Sequence, residues 1–202
     1  MMATTHAFVG VLVGLGTLAL VPEAGPVVLA GALGGIAPDL DLLGDHRKDL
    51  HFPAYGSIAA LAAVALAAAV PSPVTLAIAV FLVAAALHAL SDVLGGGLEL
   101  RPWEATSDRA VYEHLRGRWH APRRWIRYDG APEDFLVGLA LALPALATLD
   151  GPGQWAIAAL VGVSAVYTVG RRTLVDGGER VVAATPESVL AVVPETLIED
   201  LR

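Results

Sequence analysis

The chain has 202 residues, 55% hydrophobic and only 16% charged, with a mean hydropathy of +0.63. Soluble domains carry about 25% charged residues, so an ordinary water-facing surface is excluded, and the absence of cysteine excludes disulfides and thiolate metal sites. A net charge of −7, with Lys48 the sole lysine, excludes the basic footprint of a nucleic-acid-binding protein.

In chain order, six apolar stretches predict an all-α, polytopic membrane bundle in a single domain spanning the chain. The first covers 3–21 and ends at Pro22-Glu23. Val21 to Gly25 offers small residues for signal cleavage, but no basic segment precedes the stretch, so it reads as a retained helix. The second, 26–43, is interrupted by Asp39 and Asp41. The third, 52–70, closes at Pro71-Ser72-Pro73, and the fourth, 74–94, at Gly95-Gly96-Gly97. A polar segment, 95–133, follows. The fifth and sixth stretches, 135–149 and 155–169, flank Asp150-Gly151-Pro152-Gly153, and a tail, 171–202, ends the chain. A membrane span takes about 20 apolar residues, so the second and fifth are the shortest candidates. Runs such as Leu61 to Val70 are apolar all round, as a helix in lipid is and a half-exposed soluble helix is not.

Charge orients the six spans. All thirteen Lys and Arg residues fall in the N-terminal side of the arrangement, namely the 44–51 loop, the 95–133 segment and the tail. None falls in the turns at 22–25, 71–73 and 150–154. The positive-inside rule makes the charged side cytoplasmic, with both termini inside the cell membrane.

Polar residues at membrane depth are costly and read first as functional. Counted at ~1.5 Å per residue from the opposite turns, His6, Asp39, His88 and Asp92 all lie about 24–30 Å away, at one level beneath the cytoplasmic interface. His88 and Asp92 are four residues apart and share a helix face. Asp39 and Asp41 follow Pro38, and an extended Asp-x-Asp places both carboxylates on one side. His46, Arg47 and His51 occupy the short loop beyond. Imidazoles and carboxylates together suit zinc, manganese or iron. Seven residues are candidate ligands: His6, Asp39, Asp41, His46, His51, His88 and Asp92. They allow one divalent metal with supporting partners, or two metals. His114 and His120, in the arginine-rich segment, read as surface residues.

Pro38-Asp39-Leu40-Asp41, His46-Arg47 with His51, and His88-Ala-Leu-Ser-Asp92 followed by Gly97 and Pro102-Trp103 resemble the YdjM-type membrane-bound metal-dependent hydrolases. Thr5-His6-Ala7 resembles that family's first element, and the likeness covers roughly residues 4–104. The chain departs at Lys48-Asp49-Leu50 and Phe52, where the family tends to have Gly, Thr and Ser. The resemblance implies a metal held by residues such as His6, Asp39, His51 and His88. It also implies Asp41 or Asp92 as general base or orienting group, and Arg47 as partner of a substrate phosphate or carboxylate. A site at the inner interface favours a membrane lipid or lipid-linked phosphoester. Two other functions fit the same residues. One is an ion- or proton-coupled transporter. The other is a noncatalytic anchor whose 95–133 segment, with Trp103, Trp119 and Trp125 among its arginines, binds a partner or anionic lipid. The acids in that segment favour a solvated face, and an interfacial amphipathic helix in the tail is one expectation for 181–202.

Overall fold

A computed structural model describes residues 1–22, 26–193, 195, 198 and 201. The turn expected at 23–25, and with it the signal-cleavage segment, lies outside the described residues, as do several positions of the tail. The chain is 70% helical. In order come α1 (Ala3–Leu20), α2 (Val27–Ile36) running on as a 3-10 helix over Ala37–Leu43, and α3 (Pro53–Ala69). Then follow α4 (Pro73–Ser91), extended by a 3-10 turn at Asp92–Leu94, and a second such turn at Pro102–Glu104. A hairpin of β1 (Val111–Glu113) and β2 (Arg118–His120) precedes α5 (Pro132–Thr148), α6 (Gly151–Ala184) and α7 (Glu187–Leu190).

Three of these helices are long and apolar enough to cross a membrane: Ala3–Leu20, Pro73–Leu94 and Gly151–Ala184. Pro53–Ala69 is apolar but shorter, at 17 residues. Only ten residues of the second stretch are α-helical, because Pro38 cannot donate a backbone hydrogen bond and the chain tightens into 3-10 geometry around it. The last apolar stretch differs most from expectation. It is the front of a 34-residue helix that carries on through Arg171, Arg172 and Arg180 to Ala184, where a tail beginning at 171 was expected. No proline interrupts it between its first turn and Pro186, and it continues through Asp176-Gly177-Gly178.

The centre of the bundle is α2, held between α1 and α4 by missing side chains. A Cβ on Gly10 of α1 would fall on the carbonyl oxygen of Gly31, and one on Gly31 would fall on that of Gly10. Gly34 meets the backbone of Phe81 in α4, and Gly35 that of His6. Small residues at such spacing let helices in lipid pack backbone to backbone, where dispersion supplies the attraction that the hydrophobic effect does not. Around this centre, Phe8 and Val11 of α1 pack on Ala142 and Ala145 of α5 and Ile157 of α6, while Ala63 and Ala67 of α3 pack on Ala79 of α4.

The 95–133 segment is not a free solvated face. Its hairpin pairs Val111 with His120, Tyr112 with Trp119 and Glu113 with Arg118, and turns at Gly117, whose φ of +60° favours glycine. Backbone bonds then fasten it over the helix ends. Tyr112 N donates to Arg47 O at 3.0 Å, Arg123 N to Val93 O at 2.8 Å and Ile126 N to Leu94 O at 3.1 Å. His114 is likewise not a plain surface residue. Its Nε2 lies 2.8 Å from Lys48 O and its ring packs between Phe52 and Tyr112.

Candidate metal centre

Four side chains from three elements converge where α4 ends. Asp39 comes from the 3-10 extension of α2, His51 from the loop before α3, and His88 and Asp92 from the last turns of α4. One ligand atom from each lies within 4.8 Å of the others. His51 Nε2 is 3.2 Å from His88 Nε2 and 3.3 Å from Asp92 Oδ2; His88 Nε2 is 3.3 Å from Asp39 Oδ1 and 3.5 Å from Asp92 Oδ2; His51 Nε2 to Asp39 Oδ1 is 3.9 Å. Metal–ligand bonds of about 2.0–2.2 Å in a tetrahedron put ligand atoms about 3.3–3.5 Å apart. Four of the five separations, 3.2–3.5 Å, are close to that spacing and the fifth is longer, so the cluster can hold a metal ion.

The chemistry of the donors agrees with the spacing. His51 Nδ1 is 2.8 Å from Asp41 Oδ2 and His88 Nδ1 is 2.6 Å from Gly35 O. A carboxylate and a carbonyl only accept, so both Nδ1 atoms carry the proton and both Nε2 lone pairs face the centre. With both rings neutral, two lone pairs and two carboxylate oxygens meet with no donor among them. A proton shared there, or a divalent cation, removes the repulsion. Imidazoles whose outer nitrogen is held by a carboxylate or carbonyl are the usual metal-ligating arrangement. This one depends on the close packing of α2, which delivers the Gly35 carbonyl to His88.

The remaining sequence candidates stand one layer out. Asp41 does not share a side with Asp39, because 3-10 geometry turns ~120° per residue and sends the two carboxylates in different directions. Asp41 accepts instead from His46 Nδ1 at 2.8 Å, from His51 Nδ1, and from the backbone N–H groups of Lys48 and Leu50, both at 3.2 Å. With both oxygens bonded and only 3% exposed, it orients the loop that carries His51. His46 reaches no ligand atom of the cluster. His6 stacks on His88 at 3.7 Å between ring centroids and lies, through Nε2, 2.9 Å from Asp92 Oδ1. It therefore fixes the carboxylate and leaves Oδ2 for the centre. The terminal ammonium of Met1 reaches the same Oδ1 at 3.1 Å.

Arg47, expected to face a substrate, borders a cavity beside the cluster and is 5% exposed. Its Nη1 donates to Gly96 O at 2.8 Å and its Nε lies 3.5 Å from Asp92 Oδ2. A backbone φ of +59° holds it there, a conformation uncommon for a residue with a side chain. Its role is to tie the 44–51 loop to the 95–133 segment and to offset the charge of Asp92. This sequence-remote partnership has no local signature.

Electrostatics bear on His51, which lies in the loop outside the helices. Burial lowers its pKa, yet hydrogen bonds to the carboxylates of Asp41 and Asp92 outweigh burial and raise it above the ordinary 6.5.

A cavity of about 870 Å³ adjoins the cluster, bounded by the first turn of α1, the 42–48 loop, residues 97–100, Trp119 and α6. Asp39 is the one cluster member on its wall, with 14% of its side chain exposed against 1% or less for the other three. Among the described residues, the buried His6, Asp41, Arg47, His51, His88 and Asp92 gather at this end of the bundle. Compared with family models, curated proteins and solved structures, the chain matches none.

Proposed function

We propose that this chain is a membrane-embedded, metal-dependent hydrolase whose metal is held by Asp39, His51, His88 and Asp92 beneath the cytoplasmic interface. The observation that carries the reading is the meeting of two imidazole nitrogens and two carboxylate oxygens within 4.8 Å of one another, with both outer nitrogens tied down. A centre with two nitrogens and two oxygens suits zinc first, then manganese or iron. Six membrane passes, with the short α2, α3 and α5 as three of them and both termini cytoplasmic, are part of the proposal. The resemblance to the YdjM-type hydrolases supports the reaction class.

A bound divalent cation there supplies a water of lowered pKa and polarises an ester or phosphoryl oxygen. The protein's own contribution begins with Asp39. Its Oδ1 belongs to the cluster and its Oδ2 accepts no hydrogen bond among the described residues, so this carboxylate is placed to take a proton from water at the cavity wall. His6 and Arg47 hold Asp92, and Asp41 holds His51, so neither ligand reorganises during turnover. Leu42, Leu98 and Val163 beside Lys48 and Arg109 give the cavity an amphiphilic wall, which fits a lipid or lipid-linked phosphoester.

Metal analysis of detergent-purified protein, beside assays of phosphoester lipids with and without added zinc or manganese, tests the proposal. The expected result is one stoichiometric divalent ion, lost in His88→Ala, and turnover that follows the metal. Protein that purifies without metal and has no affinity for added zinc or manganese overturns it.

A further inference from the structure

A second groove, of about 500 Å³, shares no lining residue with the metal cluster or with the first cavity. Its floor is apolar: Pro53 and Ala54 from the first turn of α3, Leu90 and Leu94 from the end of α4. Below it, Ile58 of α3 and Leu87 of α4 are exposed, at 59% and 37%, so the apolar outer face of the two helices runs unbroken into the groove. At its mouth stand His120 and Arg123.

The charge at that mouth is unbalanced. Residues 114–128 contain five arginines and no acid, in a chain whose net charge is −7. Arg127 is paired with Glu133 and Arg124 donates to Ser107 O. The guanidinium of Arg123, which is exposed, has no ion pair or hydrogen bond among the described residues. Glu113, the acid on the groove wall, is turned inward. It is 7% exposed, its Oε1 accepts from Leu115 N, and its Oε2 lies 3.9 Å from His120. Trp125, 70% exposed on the same segment, is the residue type enriched at headgroup level.

We infer that this groove binds an anionic phospholipid, with an acyl chain along Pro53, Ala54 and Leu90 and the phosphate at Arg123. An unpaired arginine above an apolar floor that opens onto a lipid-facing surface complements a molecule with a negative head and an apolar body. A free phosphate leaves the floor unused, and a zwitterionic lipid leaves the arginine without a net partner. The site is independent of the metal cluster and does not depend on hydrolase activity.

The test uses delipidated full-length protein titrated with short-chain phosphatidylglycerol and phosphatidylcholine, read by thermal shift and native mass spectrometry. The glycerol lipid is expected to bind more tightly than the choline lipid by about fivefold or more, the worth of one arginine at an anionic surface. Arg123→Gln should erase that preference with metal content unchanged, and Ala54→Phe, which fills the floor, should weaken both lipids. Arg116→Gln with Arg118→Gln, on the exposed hairpin turn, should leave the preference intact. Equal binding of the two lipids overturns the inference, as does an unaltered preference in Arg123→Gln. So does binding of glycerol phosphate alone as tight as that of the lipid, or an equal loss in the hairpin double variant, which marks diffuse attraction without a site.

Discussion

At the scale of single residues, the centre depends on side chains that never touch the ion. Asp41 accepts four hydrogen bonds, two from histidines and two from the backbone of the loop that carries His51. Asp41→Asn is therefore expected to reduce metal affinity about 10–100-fold without abolishing it, the range typical of lost partners behind a ligand. His88→Ala, which removes a ligand, should abolish stoichiometric metal. Calorimetric titration with zinc separates the two. The pH dependence follows from His51. Its pKa is raised above 6.5 in the metal-free protein, and metal must displace that proton. Affinity should thus climb as pH rises through the raised pKa and level off above it, losing up to about tenfold per pH unit below it. In Asp41→Asn one of the raising contributions is gone and burial, which lowers the pKa, gains weight, so the midpoint should move to lower pH. A midpoint unmoved in that variant contradicts the assigned coupling.

At the scale of elements, α2 decides the site. Its glycines bring it against the backbones of α1 and α4, and its 3-10 end then aims Asp39 at the cluster and Asp41 at the histidine loop. A side chain at Gly31 has no room, because its Cβ would overlap Gly10 O. Gly31→Val should cost about 1–3 kcal/mol or more. It should also lower metal content, since displacing α2 withdraws the Gly35 carbonyl from His88 and Asp39 from the centre. Gly16→Ala and Gly162→Ala meet nothing within 4 Å and should leave thermal stability and metal content at wild-type values or slightly above. Comparing melting temperature with metal content across the three variants checks this. Loss of stability in all three alike removes the packing argument.

For the whole molecule, the proposed six passes make a prediction that only an intact membrane tests. The chain has no cysteine, so single cysteines report position without background. Pro71→Cys and Pro152→Cys should react with an impermeant reagent from outside the cell, and Ala121→Cys, on the segment that covers the metal centre, only after lysis. Reaction of Pro71→Cys solely after lysis contradicts the topology. Much of this was legible in the primary structure. The apolar runs marked α1 and α3 with ends within a residue of those observed, and α4 together with its 3-10 extension to Leu94, and proline and glycine marked where they stop. The 34-residue length of α6 was not legible, because hydropathy falls at Arg171 and Asp176-Gly177-Gly178 read as a helix stop. The hairpin was missed for a different reason. Strands of three residues carry too short an alternation to register, and β1 is held by a backbone bond from Tyr112 to Arg47, a residue far away in the chain.

The sequence by itself determined that this protein is built largely of apolar helices, and that its histidines and buried aspartates collect toward one end of them. Both follow from properties additive along the chain: the length of an apolar run, the positions of charge, and a fixed rise per residue. Which four of the seven candidates face one another was decided only by the tertiary structure. Ligation depends on direction at the scale of a single ångström, and direction is set by features that do not add along the chain. Pro38 tightens a helix and rotates Asp39 away from Asp41. Facing glycines let α2 close on α1 until Gly35 reaches His88. Arg47, taken from sequence as a contact for substrate, is held by the Gly96 carbonyl and the Asp92 carboxylate, 45 and more residues further along the chain.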